Sequence, residues 1–169
     1  MKKTGIFYGS SSGETEYVAK QIQKELGGEN KAEVINIVMA SQEDLQKFDN
    51  LIFGTSTWRE ARMQYDWEFY QNLLDETDFS GKKIALFGTG DQVNYPDNFV
   101  DAMKILYDKV KENSGEIVGA VATDDYRFNK SKAIVNKKFV GLPVDETNEY
   151  QKTPERVKKW CETLKKEFH

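Results

Sequence analysis

The chain has 169 residues, 38% of them hydrophobic and 31% charged, enough to bury a core as one soluble domain without disulfides or structural metal. A net charge of −4 gives no basic footprint for nucleic acid, and no apolar run suits a signal peptide or a bilayer span. One cysteine, Cys161, and one histidine, His169, leave no material for an internal disulfide, a cysteine-ligated zinc, an iron–sulfur cluster or a Ser-His-Asp triad. His169 ends the sequence and is expected to be frayed. Any redox chemistry must therefore come from an organic cofactor, and a cytoplasmic address is expected.

Taken in chain order, strands alternate with helices. Thr4 to Tyr8 reads as a buried strand ending at Gly9, and Val18, Ala19, Ile22 and Leu26 recur at helical spacing until Gly27-Gly28. Ala32 to Val38 reads as a second strand and Leu51 to Gly54 as a third, continuously apolar as in a strand covered on both faces. A helix follows from about Asp66 to Glu76, then a fourth strand from Lys83 to Gly88. Phe99, Ala102, Met103, Leu106, Tyr107 and Val110 form one apolar helical stripe, ended by Asn113-Ser114-Gly115. Ile117 to Val121 begins a fifth strand. Thr153 reads as the N-cap of a closing helix with Pro154 at its first position, burying Val157, Trp160, Cys161, Leu164 and Phe168. The pattern predicts an α/β fold: a doubly wound, five-stranded parallel sheet.

From about Ala122 to Lys138 the sequence turns polar before Phe139-Val140-Gly141-Leu142 resumes a strand-like pattern. This is an insertion in or beside the last strand. Two readings stand for it, a solvated loop with no role and a surface for docking a partner. No composition shift marks a boundary, so residues 1–169 are read as a single domain.

In an open parallel sheet a ligand sits outside the carboxyl ends of the strands. Three loops leave those ends here. The first, Gly9-Ser10-Ser11-Ser12-Gly13-Glu14-Thr15, opens a helix whose free N–H groups and dipole suit an anion, with four hydroxyls to help. It has no lysine, so it is not the loop that holds a nucleoside triphosphate with magnesium. The alternative is a capped helix start that binds nothing.

The second loop runs from Gly54 through Thr55, Ser56, Thr57 and Trp58 to Trp67. Trp58 lies beyond a strand end, where it either covers something flat or packs into the core. Trp67, among Phe69, Tyr70, Leu73 and Leu74, reads as core. The third loop, Gly88 to Asn98, begins Gly-x-Gly but has Val93 where the dinucleotide fingerprint needs its last glycine. Tyr95 on this loop and Trp58 on the second can face each other across a planar ring. A phosphate cradle with two aromatic plates describes a mononucleotide with a large flat base.

With these motifs in this order, the chain resembles the long-chain flavodoxins, electron carriers that contain FMN. Gly5 to Glu16 resembles their phosphate loop, Thr57-Trp58 through Trp67 their first flavin loop, and Gly88 to Gln92 with Tyr95 and Asp97-Asn98-Phe99 their second. Phe139 to Leu142 and Asp145-Glu146 match the region after the long-chain insertion, and the likeness covers essentially the whole chain.

The resemblance implies a flavodoxin-like sheet in the order 2-1-3-4-5 and bound FMN. Ser10, Ser11, Ser12, Gly13, Glu14 and Thr15 would hold the phosphate, and Trp58 and Tyr95 would sandwich the isoalloxazine. Ser56 and Thr57 belong to the same flavin loop, and the backbone of Arg59 and Glu60 would face flavin N5. Thr89, Gly90, Asp91 and Asn98 would line the pyrimidine edge, with Asp145 near the ribityl chain. Ser56 departs from a common proline, and Arg59 and Arg62, two of four arginines, stand where the family is usually uncharged or acidic.

The implied function is low-potential one-electron transfer, without catalysis, between a flavodoxin reductase or another low-potential donor and redox acceptor enzymes. The protein is expected to work as a monomer, with no nucleic acid and no membrane among its partners. A flavodoxin-fold quinone or azo reductase would need substrate room above the ring and a nicotinamide site, and two aromatic plates argue against it. A receiver module would need an acidic cluster after the first strand, and Tyr8-Gly9-Ser10 supplies none.

Overall fold

The structure, a computed structural model, describes residues 1–58 and 62–169. Thr4–Tyr8 (β1) is buried along its length, as expected for a central strand covered on both faces. The elements that follow are α1 (Glu14–Leu26), β2 (Ala32–Asn36), α2 (Gln42–Gln46), β3 (Asn50–Trp58), β4 (Arg62–Met63), α3 (Tyr65–Tyr70) and α4 (Asn72–Asp75). Then come β5 (Lys83–Thr89), α5 (Ala102–Glu112), β6 (Glu116–Val118), β7 (Val121–Ala122), β8 (Ile134–Val135), β9 (Lys138–Phe139), β10 (Leu142–Val144), α6 (Glu146–Glu149) and α7 (Thr153–Glu167).

The main sheet is parallel in the order β2-β1-β3-β5, and two short strands share the far edge. β6 pairs with Lys83–Ala85 and β10 with Phe87–Thr89, so the fifth strand of a 2-1-3-4-5 sheet is present in two pieces. Between them the chain leaves the sheet, and β7, β9 and β8 form a small antiparallel sheet of their own. The excursion is thus wider than the polar run from Ala122 to Lys138. Val121 and Phe139 look like pieces of the last strand but pair with each other in the small sheet. Their apolar pattern is the same in either sheet.

Alternation along the strands builds two cores. Phe7, Leu51, Phe53 and Leu86 point to one face with Trp67, Phe79, Phe99 and Met103. Ile6, Ile52, Ala85 and Phe87 point to the other, against Val18 and Ile22 of α1 and Val157, Trp160 and Cys161 of α7. Among the described residues no helix is long and apolar enough to cross a membrane.

Several boundaries differ from the sequence reading. β2 stops at Asn36, whose side chain accepts from Val38 N at 3.1 Å and turns Ile37–Met39 into a 3-10 helix. The expected helix from Asp66 to Glu76 is two short ones, α3 and α4, with Gln71 between them. α5 begins only at Ala102, because Val100 has φ 49, outside the helical region, so Phe99 packs from ahead of the helix. Thr153 is not an N-cap but the first residue of α7; its hydroxyl donates to the Glu146 carboxylate.

His169 is tied down, not frayed. Its N–H donates to Asn50 Oδ1 at 3.0 Å, and its main-chain oxygen accepts from Lys2 N at 2.6 Å. α2, which the sequence reading missed, is a single turn closed by reciprocal bonds between Ser41 and Asp44, and that Ser-x-x-Asp spacing was its signal.

The last piece of the sheet docks through Gly141, where a Cβ would lie 2.0 Å from the Leu86 carbonyl oxygen. A backbone atom cannot swing away as a side-chain tip can. Gly141→Ala is therefore expected to destabilise the protein by about 1–3 kcal/mol or more, read as a lower midpoint in urea unfolding.

Candidate functional site

The carboxyl ends of β1, β3, β5 and β10 lie side by side, which brings together the three loops singled out in the sequence. Tyr8 pairs with Gly54, Ser56 with Thr89, and Thr89 with Val144. From β1 the chain passes through Ser10–Ser12 to Gly13, the N-cap of α1. Gly13 has φ 89, which glycine adopts freely, and no side-chain bond closes the helix end. The first-turn N–H groups of a helix have no partner within it, so this end faces the loop cluster as an open anion site. Ser10 Oγ accepts from Gly13 N at 3.0 Å and shapes the loop from within. Thr15 is buried, its hydroxyl 3.2 Å from that of Thr89, which joins the first loop to the third.

β3 runs on past Gly54, where the sequence reading ended the strand, through Ser56, Thr57 and Trp58, so Trp58 is its last residue; β4 returns antiparallel to it, with Trp58 opposite Arg62. Trp58 is 47% exposed and Tyr95, on the third loop, is 46% exposed, so neither ring is core. Trp58 Nε1 donates to Ser56 Oγ at 2.8 Å, which sets the indole's tilt. Thr57 Oγ1 accepts from Ala102 N at 3.0 Å and ties the loop to the start of α5. Trp67 is fully buried and donates to the Gly54 carbonyl at 2.7 Å, as core. Arg59 and Glu60, expected to face the flavin, lie outside the described residues.

The third loop begins where Gly90 N donates to the Val144 carbonyl at 2.9 Å. Asp91 then folds the tip, accepting from the N–H groups of Val93 and Asn94. Asn98 N donates to the Tyr95 carbonyl at 3.3 Å. Asp145 is fully buried beneath this loop and accepts from Gln92 N at 3.1 Å and Asn148 N at 3.0 Å.

Two residues that brace the site escaped the sequence reading. Gln64 is buried, caps α3 through Oε1, and donates to Ser11 Oγ at 3.0 Å, linking the first loop to the second. Glutamine is not a usual capping residue, so nothing marked it. Asn148 donates to both Asp91 and Asp145. Its signal was the Asp-x-x-Asn spacing, which places Asp145 as N-cap of α6 and Asn148 three residues on.

The charge at this edge is acidic. Desolvation pushes the Glu14 carboxyl up, and the nearby carboxylates of Glu146, Asp145 and Asp91 push it further. Burial opposes ionisation of Asp91, but hydrogen bonds from Asn94, Asn148 and Val93 outweigh it and hold that carboxyl low. Cys161 takes no part: it is buried in the other core, where desolvation pushes its thiol up to about 12. Among the described residues no group of three or more His, Cys, Asp or Glu could hold a metal ion.

A shallow cavity of about 250 Å³ lies between Ser11, Trp58, Arg62 and Tyr65. A larger one of about 640 Å³ lies away from the loops, over Trp160, Leu142 and Tyr126. There Arg156 is already paired with Asp125 and Glu149, so the loop cluster is the better candidate.

An open parallel sheet with a helix N-terminus and two exposed aromatic rings at one edge defines a mononucleotide-binding α/β protein. The flavodoxin family model matches residues 6–160. A flavodoxin from Synechocystis sp. is 47% identical over 165 residues, covering 98% of this chain and 97% of its own. Flavodoxin 1 from Azotobacter vinelandii is 45% identical over 172 residues, covering 99% and 98%. The crystal structure of a Fusobacterium nucleatum flavodoxin bound to flavin mononucleotide superposes with a TM-score of 0.94 at 32% identity, covering all of both chains. The chain belongs to the flavodoxin family.

The raised Glu14 carboxyl has a consequence for stability. Where folding raises a carboxyl's pKa, the charged form is penalised in the folded state. The penalty is absent below the ordinary value of 4.5 and grows as pH rises through the raised one. Glu14→Gln is therefore expected to stabilise the apoprotein at pH 7, with the gain vanishing as pH falls below about 4. Thermal unfolding of both proteins across that range tests it.

Proposed function

We propose that the protein is a non-enzymatic one-electron carrier that holds a non-covalent FMN across the three loops. The observation that carries this is the pairing of an uncapped α1 N-terminus with two half-exposed aromatic rings, Trp58 and Tyr95, on the same sheet edge. These residues fit the group: an anion site with hydroxyls for one phosphate, and two plates for a planar ring. The relative bound to flavin mononucleotide supports the same choice. When bound, FMN supplies a ring that takes up and releases single electrons.

In this reading Ser10, Ser11, Ser12, Gly13, Glu14 and Thr15 receive the phosphate, largely through N–H and hydroxyl groups. Trp58 and Tyr95 cover the two faces of the ring and keep water from it, with Ser56 and Thr57 holding Trp58 in place. Thr89, Gly90, Asp91 and Asn98 line the pyrimidine edge, and Asp145 supports the ribityl end from beneath. The acidic groups Glu14, Asp91, Asp145 and Glu146 make added negative charge costly, which keeps the second electron at low potential. The partners are a flavodoxin reductase or another low-potential donor and redox acceptor enzymes, met by a monomer in the cytoplasm.

Purification tests the proposal directly: the protein is yellow, and acid precipitation releases FMN into the supernatant. A colourless protein that binds no added FMN overturns it. Thr15→Val keeps the shape of a buried side chain but removes a hydroxyl from the anion site. A hydrogen bond to a charged group contributes about 1.5–3 kcal/mol, so FMN is expected to bind roughly 10- to 100-fold more weakly. Riboflavin, without the phosphate, should respond far less.

Arg62 is exposed on β4 beside the Trp58 strand, the one positive group of this loop among the described residues. Arg62→Glu is expected to lower the potential of the second electron, and the effect should shrink as salt rises. Potentiometric titration at low and high ionic strength measures both.

A further inference from the structure

The insertion between β6 and β10 is bonded to the loop that carries Tyr95. Asn129 N and Lys130 N both donate to the Pro96 carbonyl, at 2.8 and 2.9 Å. Phe99 N donates to the Lys130 carbonyl at 3.3 Å, the Ser131 hydroxyl to the Phe99 carbonyl at 2.6 Å, and Lys132 N to the Asp101 carboxylate at 2.6 Å. These bonds fix the foot of the loop that follows Tyr95.

Gln92 fixes the foot that precedes it. Its neighbour Val93 is 63% exposed, yet Gln92 is only 2% exposed. A long amide turns inward from an exposed loop only if its polar atoms find partners there. Gln92 Oε1 accepts from Arg127 N, in the insertion, at 2.5 Å. Its side chain also lies close enough to the Glu149 carboxylate on α6 to help hold that carboxyl low, and its main-chain N–H donates to Asp145.

Glu149 in turn accepts from Arg156 at 2.7 Å, and Arg156 lies 4.3 Å from the centre of the Tyr126 ring in the insertion. One side chain therefore meets both an N–H donor and a carboxylate. The Gln92 amide oxygen is the acceptor that the Arg127 N–H of the insertion uses.

Between the two feet the tip bearing Tyr95 is held by its own short-range bonds to Asp91. Where the Tyr95 ring stands therefore depends on Gln92 and on the carbonyl of Pro96. We infer that Gln92 is a positioning residue, through which the insertion sets the pose of Tyr95 against the flavin. The insertion is then part of the cofactor site, beyond any part it has in docking. This inference rests on the reading of the three loops as the FMN site.

The test compares wild type, Gln92→Met, Gln92→Glu and the swap Gln92→Glu/Glu149→Gln. For each, the Kd of FMN and of riboflavin, the potential of the second electron in the holoprotein and the melting of the apoprotein are measured. Gln92→Met removes the side-chain bond to Arg127 at nearly constant volume and should weaken FMN and riboflavin by the same factor, about 10-fold, with a shift in potential. Equal factors are expected because the displaced contact is at the ring, not the phosphate.

Gln92→Glu sets a carboxylate against Glu149 and should weaken both flavins as well. The swap keeps an acceptor for Arg127 N while removing the facing pair of carboxylates, and should recover most of the loss. Unchanged affinities and potential in Gln92→Met, with only lower melting, would show a purely structural role and overturn the inference. So would a loss confined to FMN, or a folded swap that recovers nothing. If Gln92→Met does not fold, Gln92→Glu and the swap decide. A wild type that binds no flavin would instead overturn the function proposed above.

Discussion

The parallel ladder between β3 and β5 is the constraint on which the rest of the site depends. It sets Ser56 beside Thr89, and on its other edge β5 sets Thr89 beside Val144. Each of those residues is the last or nearly the last of its strand before a loop leaves the sheet. Register therefore decides which loops become neighbours, before any side chain of the site is considered. The short bonds described above then have little distance to cover: Thr15 reaches Thr89, Thr57 reaches Ala102, and Gly90 reaches Val144. A slip of one residue between β3 and β5 would send their apolar side chains to the wrong faces and scatter these contacts together.

Most of this architecture was legible because its signals are local. β1, β3 and β5 are continuous apolar runs, and the first loop is a run of glycine and hydroxyl residues before a helix. Trp58 and Trp67 were separable because one follows the polar run Thr55-Ser56-Thr57, past the apolar part of β3, and the other sits among residues at helical spacing. What stayed hidden depends on partners remote in sequence. Gln64 meets Ser11 across 53 positions, and Gln92 meets Arg127 across 35. Nothing in their own neighbourhoods distinguishes them from surface glutamines.

The errors of boundary have the same origin. Ile37 and Val38 extend the apolar pattern of β2, but a side-chain bond from Asn36 bends the backbone there. Phe99 fits the stripe of α5, yet a left-handed φ at Val100 places it before the helix. Thr153-Pro154 has the composition of a helix start, and the true start lies one position away because Glu146 has captured the threonine hydroxyl.

The divided last strand also bears on the order in which the molecule can assemble. β6 is complete by Val118, and the amino half of β5 can pair with it as soon as that stretch of chain exists. The carboxyl half must wait for β10, after an intervening length that has to form and dock its own small sheet. Closing that longer loop carries more chain entropy, and in a growing polypeptide its second end arrives later. The lower part of the sheet can thus consolidate while the rim that bears the ligand loops is still open.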